Sequence, residues 1–179
     1  MERKPLLIVM VGIPGSGKST IAEEIKNTYN FKMFSADEIR KELLGDVNDQ
    51  SNNYYVFKTL YERLKDNLAN GQNCIFDATN VSIGDRKGVF KKIKDVEFDA
   101  IAYVVATNVE ESIRRNSLRD RKVPLEDIQK FVNKFVMPSV EEGFKDVIID
   151  NSRSEIIRFK NLIEQTENHN LYQNEDITL

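Results

Sequence analysis

Cysteine and histidine are nearly missing from this chain: Cys74 and His169 are the only ones among 179 residues. A lone thiol in an apolar run cannot build an intramolecular disulfide framework and suits a reducing compartment. A single histidine near the polar C-terminal end argues against a histidine-based triad and against a His/Cys zinc centre. Long apolar runs are missing too. No stretch approaches the ~20 residues of a membrane span, so no membrane partner is expected. Nor is there an excess of positive charge. The net charge is −3, so no global basic field draws in nucleic acid, and contact with one would rest on a local patch. There is no internal repeat, low-complexity tract or linker rich in proline or glycine.

What is present is an ordinary globular composition. Hydrophobic residues make up 40% and charged residues 31%, enough for one real core under a charged surface. A single domain over 1–179 is expected. The opening "MERKPLLIVMVG" joins basic residues to an apolar run, as a secretory leader does. That run is short and leads straight into a glycine loop without a small-residue cleavage site. Read as a first strand, it predicts a cytoplasmic protein.

Periodicity predicts strands at 6–11, 31–35, 73–76, 98–105 and 147–149. Leu6 to Val11 is continuously apolar, the mark of a strand buried on both faces. Helices are predicted at 18–29, 36–44, 54–70, 83–94, 108 to about 119, 125–136 and 155–166. Val56, Leu60, Leu64 and Leu68 recur at near-helical spacing, and Asn108 with Glu111 reads as a capping box. A frayed tail is expected over about 168–179. Strands alternating with helices predict an α/β fold: a parallel five-stranded sheet with helices on both faces. A helical lid is expected at about 112–136. Ligands of such sheets collect at the carboxyl ends of the strands, where the chemically unusual residues of this sequence fall.

The first of these is "GIPGSGKS", Gly12 to Ser19, between a strand and a helix. It matches the phosphate-binding loop G-x-x-x-x-G-K-[ST] without a gap. Its glycines let backbone N–H groups turn inward around a phosphate, and the helix start adds a positive dipole end. Lys18 is expected to reach the β- and γ-phosphates and Ser19 to offer its hydroxyl to Mg²⁺. Gly12, Pro14, Gly15, Ser16, Gly17 and Thr20 complete the loop. A P-loop NTPase that uses ATP or another NTP with Mg²⁺ follows. With no extra domain for a motor or a switch, a small phosphotransferase is the expected activity.

"SADEIR" follows the second strand. On residues alone, two readings stay open. Ser35 can cap the helix with Glu38 as partner, while Asp37 suits the helix dipole and pairs with Arg40 at i, i+3. Alternatively, Asp37 accepts the proton of an attacking hydroxyl, and Arg40 holds an anionic group of the acceptor.

"GIPGSGKST", "SADEIR", "DATN" and "RRNSLRDRKVP", taken in order over roughly residues 6–150, resemble the polynucleotide 5′-hydroxyl kinases. These are the kinase halves of phage and bacterial end-healing polynucleotide kinase–phosphatases, within the small P-loop kinases. The resemblance implies transfer of the γ-phosphate to the 5′-hydroxyl end of DNA or RNA, in the cytoplasm of a bacterial cell or phage-infected host. It implies that Asp37 is the general base and that Arg40 engages the phosphate next to the 5′-hydroxyl. It further implies that Asp77, with Thr79 and Asn80, organises the acceptor site. Arg119, with Arg115 beside it, would stabilise the transferring phosphate. Arg115, Arg119 and Lys122 recur at i, i+4 and i+7, so one basic helix face is expected, with Glu111 placed to pair with Arg115.

The sequence departs from those relatives in one respect. It carries no D-x-D-G-[TS] phosphatase motif; "IIDNSR" at 148–153 lacks the second acid and the glycine. No phosphatase or ligase chemistry is therefore expected of this chain. The alternative acceptor is a small molecule bearing a hydroxyl: a nucleoside, sugar, antibiotic or nucleotide sugar. A nucleotide switch that binds without transfer is a third reading, against which the Asp37 and Arg119 pattern argues. Two features would favour a strand acceptor. Tyr54, Tyr55 and Phe57 could stack on bases, though they read first as a packed helix start. Lys87, Lys91, Lys92 and Lys94 could guide phosphates, though they read first as a solvated helix face.

Overall fold

Six consecutive apolar residues form the central strand β1 (Leu6–Val11), and all six are buried. Such a run is fully covered only in the middle of a sheet with layers on both faces. Its odd residues Leu7, Val9 and Val11 meet one apolar cluster, and its even residues Leu6, Ile8 and Met10 meet another. The other strands are β2 (Lys32–Ser35), β3 (Cys74–Asp77), β4 (Asp99–Val104) and β5 (Asp146–Ile149). All pairings are parallel, in the order β2-β3-β1-β4-β5. The computed structural model describes residues 4–119 and 121–174.

Seven α-helices are described: α1 (Lys18–Tyr29), α2 (Ala36–Leu44), α3 (Asn53–Ala69), α4 (Ile83–Lys92), α5 (Val109–Ser117), α6 (Leu125–Lys134) and α7 (Arg153–Asn174). The buried stripe Val56, Leu60, Leu64 and Leu68 sets α3 on the odd face of β1, with Val89 of α4. Ala22 and Ile25 of α1 and Phe159 and Ile163 of α7 cover the even face. A third cluster of Ile13, Val81 and Ile128 seats α6 beside the loop after β1.

Element types match the sequence reading, and most ends agree within one or two residues. Two differences matter. The expected single basic face of Arg115, Arg119 and Lys122 does not form, because α5 stops at Ser117. Asn116 stops it: its Nδ2 donates to the Val123 carbonyl (2.8 Å) and its Oδ1 accepts from the Val123 N–H (3.0 Å). That clamp closes a loop in place of another helical turn. Also, α7 runs beyond the expected end at 166 to Asn174. The expected frayed tail is thus helical in its backbone that far, and 175–179 lie outside the described residues. The capping box at Asn108 is half made. Asn108 Oδ1 accepts from the Glu111 N–H (2.8 Å), while the Glu111 carboxylate binds Arg114 and Arg115.

Because β3 and β4 flank β1, the loops after β1 and β3 lie side by side. The Gly12 N–H donates to the Thr79 carbonyl (3.0 Å), and Asn80 Nδ2 donates to the Met10 carbonyl (2.8 Å). Asn80 has φ 47°, in the left-handed region that asparagine tolerates. Beneath it Arg86 is fully buried. Its Nε and Nη2 each donate to the Glu142 carboxylate (2.8 Å), and its Nη1 donates to the carbonyls of Asn80 (2.9 Å) and Val136 (3.0 Å). Cys74 is also buried, and desolvation pushes its thiol up to about 12.

Arg86→Met leaves the Glu142 carboxylate buried and unpaired, so it should cost about 3–5 kcal/mol of stability, read as a lower urea midpoint. The Arg86 hydrogen bonds hold the Glu142 carboxyl below its usual range. The pair therefore contributes fully above the unfolded glutamate value. That contribution should fade as pH falls through the lower folded value, so the gap between wild type and Arg86→Met should narrow in acid.

Candidate active site

Among the described α-helices, α1 alone has neither a side-chain cap nor an acidic residue in its first turn. Its first N–H groups are left for a ligand, and the dipole end favours an anion. The loop before it is as tight as a phosphate cradle requires. Gly15 has φ +81°, and a Cβ there would stand 2.1 Å from the Ser112 carbonyl oxygen. Gly17 ends the loop at φ +100°. The buried Ser16 hydroxyl has no hydrogen-bond partner among the described residues.

Lys18 lies buried beneath this loop and donates from Nζ to the Ile13 carbonyl (2.9 Å). Desolvation lowers its pKa to about 8; Asp77 opposes the shift, and the Arg119 charge adds to it. The ammonium is held where a polyphosphate would restore its charge balance. At the end of β3, Asp77 Oδ2 accepts from Ser19 Oγ (2.7 Å). Burial raises the Asp77 pKa, opposed by the Ser19 hydrogen bond and Lys18, while the Asp37 charge raises it further. A hydroxyl and a carboxylate at one point are hard oxygen donors. Among the described residues no group of three or more His, Cys, Asp or Glu side chains could cage a metal. This donor set fits Mg²⁺, which binds through one or two carboxylates plus substrate phosphates and keeps several waters.

These groups line a cleft of ≈ 450 Å³ at the carboxyl ends of β1, β2 and β3. Lys18, Ser19 and Asp77 line one part of it, and Asp37, Arg119 and Arg121 also line it. Asp37 sits in the first turn of α2, where Ser35 Oγ accepts from the Glu38 N–H (3.2 Å). The Asp37 side chain is half-exposed. Its Oδ1 accepts from Arg40 Nη1 (2.7 Å) and from Arg121 Nη1. No described residue donates to Oδ2.

The structure thus brings Lys18, Ser19, Asp37, Asp77, Thr79 and Arg119 into one cleft, with Pro14 at its edge. Apart from residues of the GIPGSGKST segment, three sequence candidates do not line it. Arg40 is buried behind Asp37, its Nη2 donating to Asn53 Oδ1 (3.0 Å). Asn80 is buried under the loop, tied to Met10. Arg115 binds Glu111 (2.6 Å) and reaches the Ser16 carbonyl (3.4 Å), which also accepts from Thr107 Oγ1 (2.7 Å). Arg115 therefore supports the phosphate loop from outside the cleft. Arg121 is the residue that sequence reasoning passed over. Its signal was present in "RDRKVP": once a loop replaces the helix, Arg119 and Arg121 two residues apart can face the same cleft.

A buried ammonium awaiting a ligand costs the ligand-free fold stability. With the folded pKa lowered, the unfolded chain binds more protons between about pH 8 and the usual lysine value, so that cost should shrink there. Lys18→Met should raise the melting temperature of the ligand-free protein at pH 7 and raise it less at pH 9.5, measured by circular dichroism.

Three comparisons bear on this geometry. An L-seryl-tRNA(Sec) kinase of Methanococcus maripaludis is 26% identical over 96% of this chain and 70% of its own length. A bifunctional polynucleotide phosphatase/kinase of Schizosaccharomyces pombe is 27% identical over 79% of this chain. A chain in the structure of the Pnkp1/Rnl/Hen1 RNA repair complex superposes with a TM-score of 0.67 at 27% identity over 75% of this chain. This chain spans only 32% of the yeast protein and 45% of the repair-complex chain. Residues 7–138 match the AAA domain family. With its phosphate loop and its β2-β3-β1-β4-β5 sheet, the chain belongs to that family as a P-loop kinase domain, with polynucleotide kinases among its relatives.

Proposed function

We propose that this kinase moves the γ-phosphate of ATP to the 5′-hydroxyl end of DNA or RNA. The observation that carries the reading is the shared cleft. A half-exposed carboxylate, Asp37, stands with one oxygen free on the wall of the same cavity that holds Lys18 and Ser19. The motif resemblance and three relatives named for RNA or polynucleotide substrates or repair support it.

The chain's own residues would act as follows. Backbone N–H groups of the loop and the start of α1 hold the phosphates, and Lys18 pairs with their charge. Ser19 and Asp77 would hold Mg²⁺, which when bound neutralises charge on the β- and γ-phosphates. Asp37 accepts the proton of the 5′-hydroxyl as its oxygen bonds to the γ-phosphorus and the bond to the ADP oxygen breaks. Arg119 neutralises charge on the transferring group. Arg40 and Asn53 fix the Asp37 carboxylate from behind. Arg121, paired with Asp37 before substrate binds, is placed to take the acceptor's anionic group once it enters.

A second reading rests on the size of the cleft. Its ≈ 450 Å³ falls among small-molecule pockets, which favours a small hydroxyl acceptor such as a nucleoside or sugar. Incubation with Mg²⁺, γ-labelled ATP and oligonucleotides ending in 5′-hydroxyl or 5′-phosphate separates the two. Label on the 5′-hydroxyl strand alone is expected; unlabelled strands with intact ATP binding would pass the site to the small-molecule reading. Asp37→Ala should slow transfer by ~10²–10⁴-fold and leave ATP affinity by calorimetry unchanged. Arg121→Ala should raise KM for the acceptor more than KM for ATP. Equal changes in both would remove Arg121 from the acceptor side.

A further inference from the structure

A second groove, of ≈ 430 Å³, runs along the outer face of α3 toward the end of α4. Phe57 lines both this groove and the cleft, so the two adjoin at its ring. Tyr54, Phe57, Lys58, Tyr61 and Lys65 fall on one stripe of α3, and Lys92 faces them from α4. Tyr54 is 80% exposed and Phe57 39% exposed, an arrangement that packing within the domain does not explain. Tyr61 stacks on Phe76, with ring centroids 5.7 Å apart, and Phe76 lines the cleft. An aromatic floor therefore leads out of the cleft. Three lysines border it against one lining acid, Glu62. Lys58 reaches Glu62 at 3.8 Å and Lys65 pairs with Asp95 at 2.9 Å, both at the surface. Lys92 enters no ion pair among the described residues.

We infer that this groove carries the single strand that trails, in the 3′ direction, from the acceptor nucleotide. The inference rests on the polynucleotide reading of the cleft and names where the rest of that substrate lies. Sequence-tolerant strand sites combine aromatic faces that stack on bases with cations that track the backbone, and this groove has both. The stripe from Tyr54 to Lys65 extends roughly 16 Å at ~1.5 Å per residue. That is room for a few bases at the ~3.4 Å spacing of a stacked strand. A compact small molecule would leave it empty. Three lysines against Glu62 and Asp95 leave a small local excess of positive charge in a chain that is acidic as a whole.

The test compares two acceptors: a nucleoside 3′-monophosphate, which reaches only the cleft, and a 5′-hydroxyl hexanucleotide, which reaches both. In Tyr54→Ala/Lys58→Ala/Lys92→Ala, KM for the hexanucleotide should rise at least tenfold, about 1.4 kcal/mol. KM for the mononucleotide and both kcat values should hold. The slope of log affinity against log salt, read from anisotropy of a labelled hexanucleotide without ATP, should flatten by roughly 1.4, ~0.7 for each lysine removed. Equal changes for both acceptors, or an unchanged hexanucleotide KM, would overturn the inference. If the wild type phosphorylates neither acceptor yet binds the hexanucleotide through these residues, the groove stands and the reading of the reaction falls. Binding that the triple variant does not weaken overturns the groove itself.

Discussion

A guanidinium that never meets water organises the working end of this molecule. Arg86 ties the Asn80 carbonyl, the chain leaving α6 at Val136 and the Glu142 carboxylate to one point. Asn80 in turn grips the end of β1 at Met10, and its neighbour Thr79 accepts from Gly12. The phosphate loop, the turn after β3 and the chain leaving α6 therefore share one polar knot. A buried cation is tolerated only with full hydrogen bonding. Here the carboxylate and two carbonyls accept four hydrogen bonds from it, so displacing a partner would leave a costly buried charge. That requirement keeps the loops in register more strictly than apolar packing alone would.

Above this rigid base the cleft is deliberately unbalanced. Lys18 is charged but desolvated, Asp77 is pushed toward its neutral form, and Asp37 holds two arginines on one oxygen. Each imbalance has the sign that a bound triphosphate and its metal would correct. The domain gives up resting stability so that ligand charge, and not solvent, completes its electrostatics.

Much of this was legible in the sequence because the signals were local. The apolar run of β1, the gapless GIPGSGKS and the four-residue spacing along α3 each follow from periodicity or backbone chemistry within one segment. Asp37 also carried a readable signal, since Ser35 marked the turn that aims it. What failed to show was long-range. Arg86 carries no local signal, since nothing near it says that Glu142, 56 residues on, will pair with it. Asn116 read as a helical residue, because its clamp on Val123 competes with α5 only once the loop has closed. Arg121 fell in the turn expected after α5, and nothing local says that this turn reaches Asp37, 84 residues away. Arg40 and Asn80 were recognised as special, but for contact with substrate, whereas their hydrogen bonds turn them inward to hold the residues that remain in the cleft.

The state of Cys74 has a practical side. Fully covered inside β3, with its thiol pushed up to about 12, it is closed to maleimides and other electrophiles that attack thiolates. For labelling purposes the folded protein behaves as though it had no cysteine. A cysteine introduced in the exposed turn around Leu118 would be the sole reactive thiol. A single fluorophore or spin label there would then sense the surroundings of the arginine-bearing loop before and after nucleotide is added, with no background to subtract.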